Sequence, residues 1–263
     1  MAPHMTHPNI LVTNDDGGAS EGLFVLADAL SAFAEVWVVA PDRDRSGSSH
    51  ALTMATPLRW RHLDRGPDGR SVCVDGTPSD CVYFGLSHLL RDNPPWLVVA
   101  GINRGYNLAD DVTYSGTVAA AIEATLLGVP AIALSVEKFG EAELAVAGEV
   151  AALLARHVLA DPSLLPSGTF LNVNMPSGAK ASDLVITNLG RRAYSKQVHF
   201  GVDPRGKAYF WIGGDPMDHD ATLGTDCVEV LDRKHISITP MHVDMTCREI
   251  FERWVIRIQP PKR

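Results

Sequence analysis

The stretch "NILVTNDDGGAS", residues 9–20, decides how the chain is read. Ile10 to Thr13 is a run of apolar and β-branched side chains, the pattern of a short buried strand. It runs straight into Asn14, Asp15 and Asp16 before Gly17 and Gly18 turn the chain. Neighbouring carboxylates repel, and along a continuing strand they would point to opposite faces. Either this is an ordinary acidic turn with one Asp capping the next helix, or a hard divalent cation sits there and uses both.

Working outward, Leu23, Leu26, Ala27, Leu30 and Phe33 recur at helical spacing after Ser20, a suitable N-cap. "VWVVA" (36–40) is a second apolar run, completing a βαβ unit with parallel strands and a right-handed crossover. "WLVVAGIN" (96–103), "AIALS" (131–135), "TFLNVNM" and "DLVITNL" read as further strands. The alanine-rich "TVAAAIEATLLG", closed by Gly128, and "LAVAGEVAALLARHVL" (144–159) read as helices. The pattern predicts an α/β core with a largely parallel sheet over residues 9–190.

From Arg191 the character changes. "YSKQVHFGVDPRGKAYFWIGG" alternates polar and apolar residues about the turn Asp203-Pro204-Arg205-Gly206, predicting a protruding β-hairpin after the core has closed. A two-stranded arm is marginal alone, so a partner subunit is the expected support. Residues 191–246 are read as this arm with the return strand "HISITPMHV". Residues 247–263 are read as a helical tail carrying Ile250, Trp254 and Ile258 at one-turn spacing.

Composition limits the function. A formal net charge of −8 over 263 residues argues against polymeric nucleic acid, which wants a basic face. Mean hydropathy is +0.02 and no apolar run approaches a membrane span. The N-terminal "MAPHMTHPN" lacks the apolar core of a secretory signal, and its first residues read as a leader. Cys73, Cys81, Cys227 and Cys247 show no C-x-x-C spacing and read as free thiols in a reducing cytoplasm. The scattered histidines include no H-x-x-x-H pair, so zinc hydrolase chemistry is not indicated. No G-x-G-x-x-G follows the first strand, which speaks against a dinucleotide oxidoreductase.

Three polar clusters follow directly on predicted strands and should open on one rim, where doubly wound sheets bind ligands. Beside "NDDGG" stands "PDRDRSGSSH" (41–50), with Arg43, Arg45, Ser46, Ser48, Ser49 and His50; taken alone it reads first as a polar surface loop, with a phosphate cradle or one weak metal ligand as the functional alternative. The third, "GINRGYNLADDVTYSGTVAAA", holds Asn103 and Asn107 and places Ser115, Gly116 and Thr117 at a helix start. Unpaired N–H groups and the dipole favour an anion there, although plain N-capping by Ser115 or Thr117 accounts for part of the pattern. Asp110 and Asp111 read mainly as a solvated loop. "VDGTPSDCV", with Asp80 in a first helical turn, reads mainly as structural, with a rim contribution to substrate as the alternative. His242 reads as a hinge or interface group, the alternative being a reach into the pocket from the appended strand.

With these residues assembled, the sequence resembles the survival protein E (SurE) family of metal-dependent nucleotidases. "ILVTNDDG", "VVAPDRDRSGSSHALT", "DGTPSDCV", "GINRGYNLADDVTYSGTVAAA", "LNVNMP" and "SITPMHVDMT" carry the resemblance, in family order across residues 9 to 246. The resemblance implies a Rossmann-like core with C-terminal β-arms exchanged between subunits of a homodimer or homotetramer. It implies hydrolysis of nucleoside 5′-monophosphates by a metal-activated water, with 3′-nucleotides and short polyphosphate as further substrates. It implies one divalent ion per subunit, Mg2+ or Mn2+, on Asp15, Asp16, Ser46 and Asn103. Asn107 and Ser115 to Thr117 would surround the phosphate, and Asp15, Asp16, Asn107 and Ser115 carry the catalytic expectation. Glu21-Gly22 and Leu108-Ala109 depart from the usual pattern without removing an expected ligand. Attack by Asp15 itself, and a nucleotide-binding module without turnover, are the alternatives these residues leave open.

Overall fold

In the computed structural model, which describes residues 8–195, 197–213 and 216–258, the opening strand β1 (Asn9–Thr13) is buried at every position. It pairs in parallel with β2 (Glu35–Pro41) on one side and β5 (Leu97–Arg104) on the other. β2 leads outward to β4 (Ser71–Val74) and the antiparallel edge strand β3 (Trp60–His62). β5 leads the other way to β6 (Ala131–Val136) and β7 (Thr169–Met175), both parallel to it. The result is a nine-stranded sheet whose middle is parallel, as the apolar runs predict.

Helices cover both faces because each carries an apolar stripe. α1 (Glu21–Ser31) and α4 (Glu141–Ala160) bury Leu23, Leu26, Leu30, Ala147, Val150 and Ala151 on one face. α2 (Pro78–Phe84), with the π-helical turn Gly85–Leu89, and α3 (Gly116–Leu126) cover the other. Alanines at 119, 120, 121 and 124 keep α3 close to the sheet. Ser20 occupies the N-cap of α1, but its hydroxyl makes no capping bond. Thr77 instead caps α2 through a reciprocal pair with Asp80.

The sequence reading closes the core before Arg191; the structure does not. β13 (Ile236–His242) returns from beyond the arm and enters the main sheet between β7 and β8 (Leu184–Ile186). Non-local pairing of this kind leaves no local signal. Between β8 and β13 lie two small ribbons: β9 (Arg192–Tyr194) with β12 (Pro216–His219), and β10 (Gln197–Val202) with β11 (Ala208–Gly213). The β10–β11 hairpin turns at Asp203–Gly206, where the sequence puts it, and leaves Phe200, Phe210, Trp211 and Ile212 exposed. α5 (Arg248–Ile258) follows with Ile250, Phe251 and Trp254 exposed. Residues 1–7 of the expected leader, 259–263 of the tail and the Ile258 side chain lie outside the described residues.

Leu30 is fully buried in the α1 face of the core. Leu30→Ala is expected to lower unfolding free energy by about 2–5 kcal/mol in urea titrations, through lost transfer energy and a residual cavity.

Candidate active site

Strand order reverses between β1 and β5, so the crevice beyond their carboxyl ends is where an open α/β sheet binds ligands. The three polar clusters converge there. One cleft is lined by Asp15, Ser46, Gly47, Asn103, Arg104, Gly105, Tyr106, Asn107, Asp111, Tyr114 and Ser115.

The turn after β1 is built from within. Asn14 Nδ2 donates to the Gly17 carbonyl at 3.0 Å, closing the turn. Gly17 has φ +93°, and a Cβ there would lie 2.8 Å from the Arg43 carbonyl carbon. Asp15 is 3% exposed. Its carboxylate accepts from the Thr117 hydroxyl and from Thr117 N–H at 3.2 Å, so the anion seated at the start of α3 is Asp15 itself. Gly116 permits this approach: a Cβ there would stand 2.8 Å from Asp15 Cβ. Ser115 caps α3, its Oγ accepting from Val118 N–H, which leaves the hydroxyl proton free to donate. The N–H groups expected to meet an external anion are therefore partly committed to Asp15, and Thr117 acts by holding that carboxylate.

Asp16 is more open and accepts from Arg104 N–H at 3.2 Å. Among the described residues neither aspartate has an ion pair with Lys, Arg or His. Burial pushes the Asp15 carboxyl above its usual range. Burial, then the Asp15 charge, pushes Asp16 up to about 6. Asp44, missed by sequence reasoning, adds a third negative charge near both. The Ser46 hydroxyl and N–H hold Asp44 below the usual carboxylate range. Arg45 N–H donates to the Asp15 carbonyl at 2.8 Å, which fixes the Ser46 loop beside the carboxylates.

Asn103 is buried at the end of β5 and donates from Nδ2 to the Gly105 carbonyl, leaving Oδ1 as an acceptor. No three His, Cys, Asp or Glu side chains among the described residues converge as a metal cluster. The donors present are carboxylate, amide and hydroxyl oxygens around an unbalanced acidic pair, a set suited to a hard divalent ion.

Asn107 donates from Nδ2 to Ser135 Oγ at 2.8 Å. Its main chain is clamped by β7: its N–H donates to Asn174 Oδ1, while Asn172 and Asn174 donate to its carbonyl. Sequence reasoning missed Asn172 and Asn174, although two asparagines at i, i+2 of a buried strand share a face and signal a polar purpose. It also missed Asp226, which is fully buried and accepts from Ala109 and Gly190 N–H, pinning the loop. Asp111 is no solvated residue: Arg192 and Tyr194, at the base of the arm, both bind its carboxylate.

Other residues are placed away from chemistry. His50 contacts Glu123 of α3 at 2.7 Å, and Asp80 accepts from Thr53 and Thr77, both tying the Ser46 loop to helices. Because β13 runs antiparallel to β7, His242 pairs with Thr169 at the opposite end of the sheet from the cleft. Its Nδ1 accepts from Asp244 N–H.

The model of the family Survival protein SurE matches residues 10–196. A 5′-nucleotidase SurE of Syntrophotalea carbinolica is 50% identical over 250 residues, covering 93% of this chain and 96% of that protein. One from Myxococcus xanthus is 47% identical over 237 residues, covering 90% and 88%. The crystal structure of the SurE protein from Aquifex aeolicus superimposes with a TM-score of 0.79 at 38% identity, covering 94% of this chain and 98% of that one.

The raised Asp16 carboxyl sets a pH dependence for the metal-free chain. The folded state holds a proton that the unfolded state has released, so stability from this group is present below its ordinary value of 3.8 and is lost as pH rises through about 6. Unfolding free energies of the unaltered chain and Asp16→Asn, measured without metal across this window, should diverge with the unaltered chain falling relative to the variant.

Proposed function

Since the chain belongs to the SurE family, we propose that it is a metal-dependent phosphomonoester hydrolase releasing phosphate from nucleoside 5′-monophosphates. The observation carrying this reading is the adjacent carboxylate pair, Asp15 buried and Asp16 half-buried, with no ion-pair partner among the described residues, at the switch point of the sheet and beside a helix start. A pure anion-binding module gains nothing from two negative charges.

Asp15, Asp16, Ser46 and Asn103 would hold one divalent ion, Mg2+ or Mn2+. Such an ion supplies charge neutralisation at the phosphate and acidifies water at neutral pH. Asn107, Ser115 and Gly116 would position the phosphate oxygens, while Thr117 keeps Asp15 in place. Fixed donors at the helix start then stabilise charge that spreads over those oxygens as the ester P–O bond breaks. Asp16, the more accessible carboxylate, is placed to take the proton of the attacking water. Asp15 fits direct attack on phosphorus poorly, because both its oxygens already accept bonds from Thr117. 3′-Nucleotides and short polyphosphate offer the same terminal phosphate and belong to the reading.

The arm and tail support self-association. Phe200, Phe210, Trp211 and Ile212 on the hairpin are large, exposed apolar groups, a surface that a second copy of the chain would cover by exchange of arms in a dimer or tetramer. Residues 9–190 then serve as catalytic core and 191–246 as assembly arm, with β13 as the strand that anchors the arm to the sheet. Free thiols at Cys73, Cys81, Cys227 and Cys247 fit a cytoplasmic location. No helix among the described residues is long and apolar enough to cross a membrane.

Phosphate release from a nucleoside 5′-monophosphate should require added Mg2+ or Mn2+, stop with chelator and fall by about 100-fold or more in Asp15→Asn. Full activity with chelator or in the variant would overturn the metal–carboxylate reading. Tight nucleotide binding without release across a metal panel would favour a binding module.

A further inference from the structure

The cleft contains two tyrosines with different fates. Tyr106 turns inward and packs against the small apolar cluster of Leu108, Cys227 and Val230. Tyr114, immediately before the capped start of α3, is 68% exposed. A large aromatic this open is ordinarily on a mobile tip, yet the Tyr114 main chain is held on both sides. Its N–H donates to the Asp111 carbonyl at 3.0 Å, and its carbonyl accepts from Ser49 N–H at 3.1 Å. Asp111 is itself bound by Arg192 and Tyr194. The ring is thus presented from a fixed backbone at the mouth of the cleft that Asp15 and Ser115 line.

We infer that Tyr114 is a specificity-determining residue whose ring stacks on the nucleobase of the substrate. This deepens the nucleotidase reading and rests on it. A phosphate held by Asn107, Ser115 and Gly116, as proposed above, would leave the rest of its ester to extend toward the cleft mouth, and Tyr114 is the exposed aromatic of that lining, one residue from Ser115. Stacking on one aromatic face is tolerant of base identity, because each base has a π-face. The residue therefore selects nucleotides over phosphate esters without a base and discriminates weakly between purines and pyrimidines.

The experiment compares kcat/KM for adenosine 5′-monophosphate and ribose 5-phosphate in the unaltered protein, Tyr114→Ala and Tyr114→Phe, all with the same divalent ion. Tyr114→Ala is expected to lower the preference for the nucleotide about tenfold or more, chiefly through KM. Tyr114→Phe, which keeps the ring, should retain that preference and serves if the alanine variant fails to fold. Equal losses on both substrates, or no change in their ratio, would overturn the inference while leaving the nucleotidase reading standing. Loss of the preference in Tyr114→Phe would also overturn it. Absence of turnover of both esters by the unaltered protein would overturn the nucleotidase reading and this one with it.

Discussion

The buried Asp15 carboxylate at the start of α3 is the constraint on which the rest of the site depends. Burying a charge is costly unless it is bonded, and here the bonds come from the Thr117 main chain and hydroxyl. They join the end of β1 to a helix that begins about a hundred residues later in the chain. Glycine at 116 is what lets the helix come so close. The second carboxylate, on Asp16, then sits in the same field, with no ion pair to either carboxylate among the described residues and only the more distant Arg104 charge to offset it. Two local choices, a glycine and a threonine, thereby create a demand for an external positive charge.

Around that point the structure spends its polar side chains on rigidity. Asn172 and Asn174 clamp the Asn107 main chain, and Asp226 pins the next turn. Asp80 and Glu123 hold the Ser46 loop from behind. A network of hydrogen bonds among buried amides and carboxylates fixes geometry better than apolar packing does, because each bond has a direction. Asp111 extends this network to the base of the arm, so residues beyond Arg191 bear directly on the cleft.

Much of this was legible in the sequence, and the reasons divide cleanly. β1, α1, β2 and α3 are local patterns with strong periodicity, and the strand-end loops follow from topology once the sheet is known to be parallel. Asp15, Asp16, Ser46, Asn103, Asn107 and Ser115 stand out because unusual polarity follows apolar strands, while their expected roles come from the family resemblance; the structure brings Asp15, Ser46, Asn103, Asn107 and Ser115 to one cleft. β3 and β4 were not, being three and four residues long within turn-rich sequence. The return of β13 into the core and the partners of Asp226, Glu123 and Asp111 are pairings across long separations, which one sequence does not display. Thr117 shows the subtler limit: its position was read, but the anion it serves is inside the protein.

The central claim is that the uncompensated Asp15–Asp16 pair exists to hold one divalent ion. Its most direct test is a titration of metal-free protein with Mn2+, reading free ion by electron paramagnetic resonance at neutral pH. The account predicts one Mn2+ bound per chain, with an affinity that weakens as pH falls and protons compete for Asp15 and Asp16, and binding abolished in Asp15→Asn. Failure to bind Mn2+, or binding that Asp15→Asn leaves intact, would contradict it.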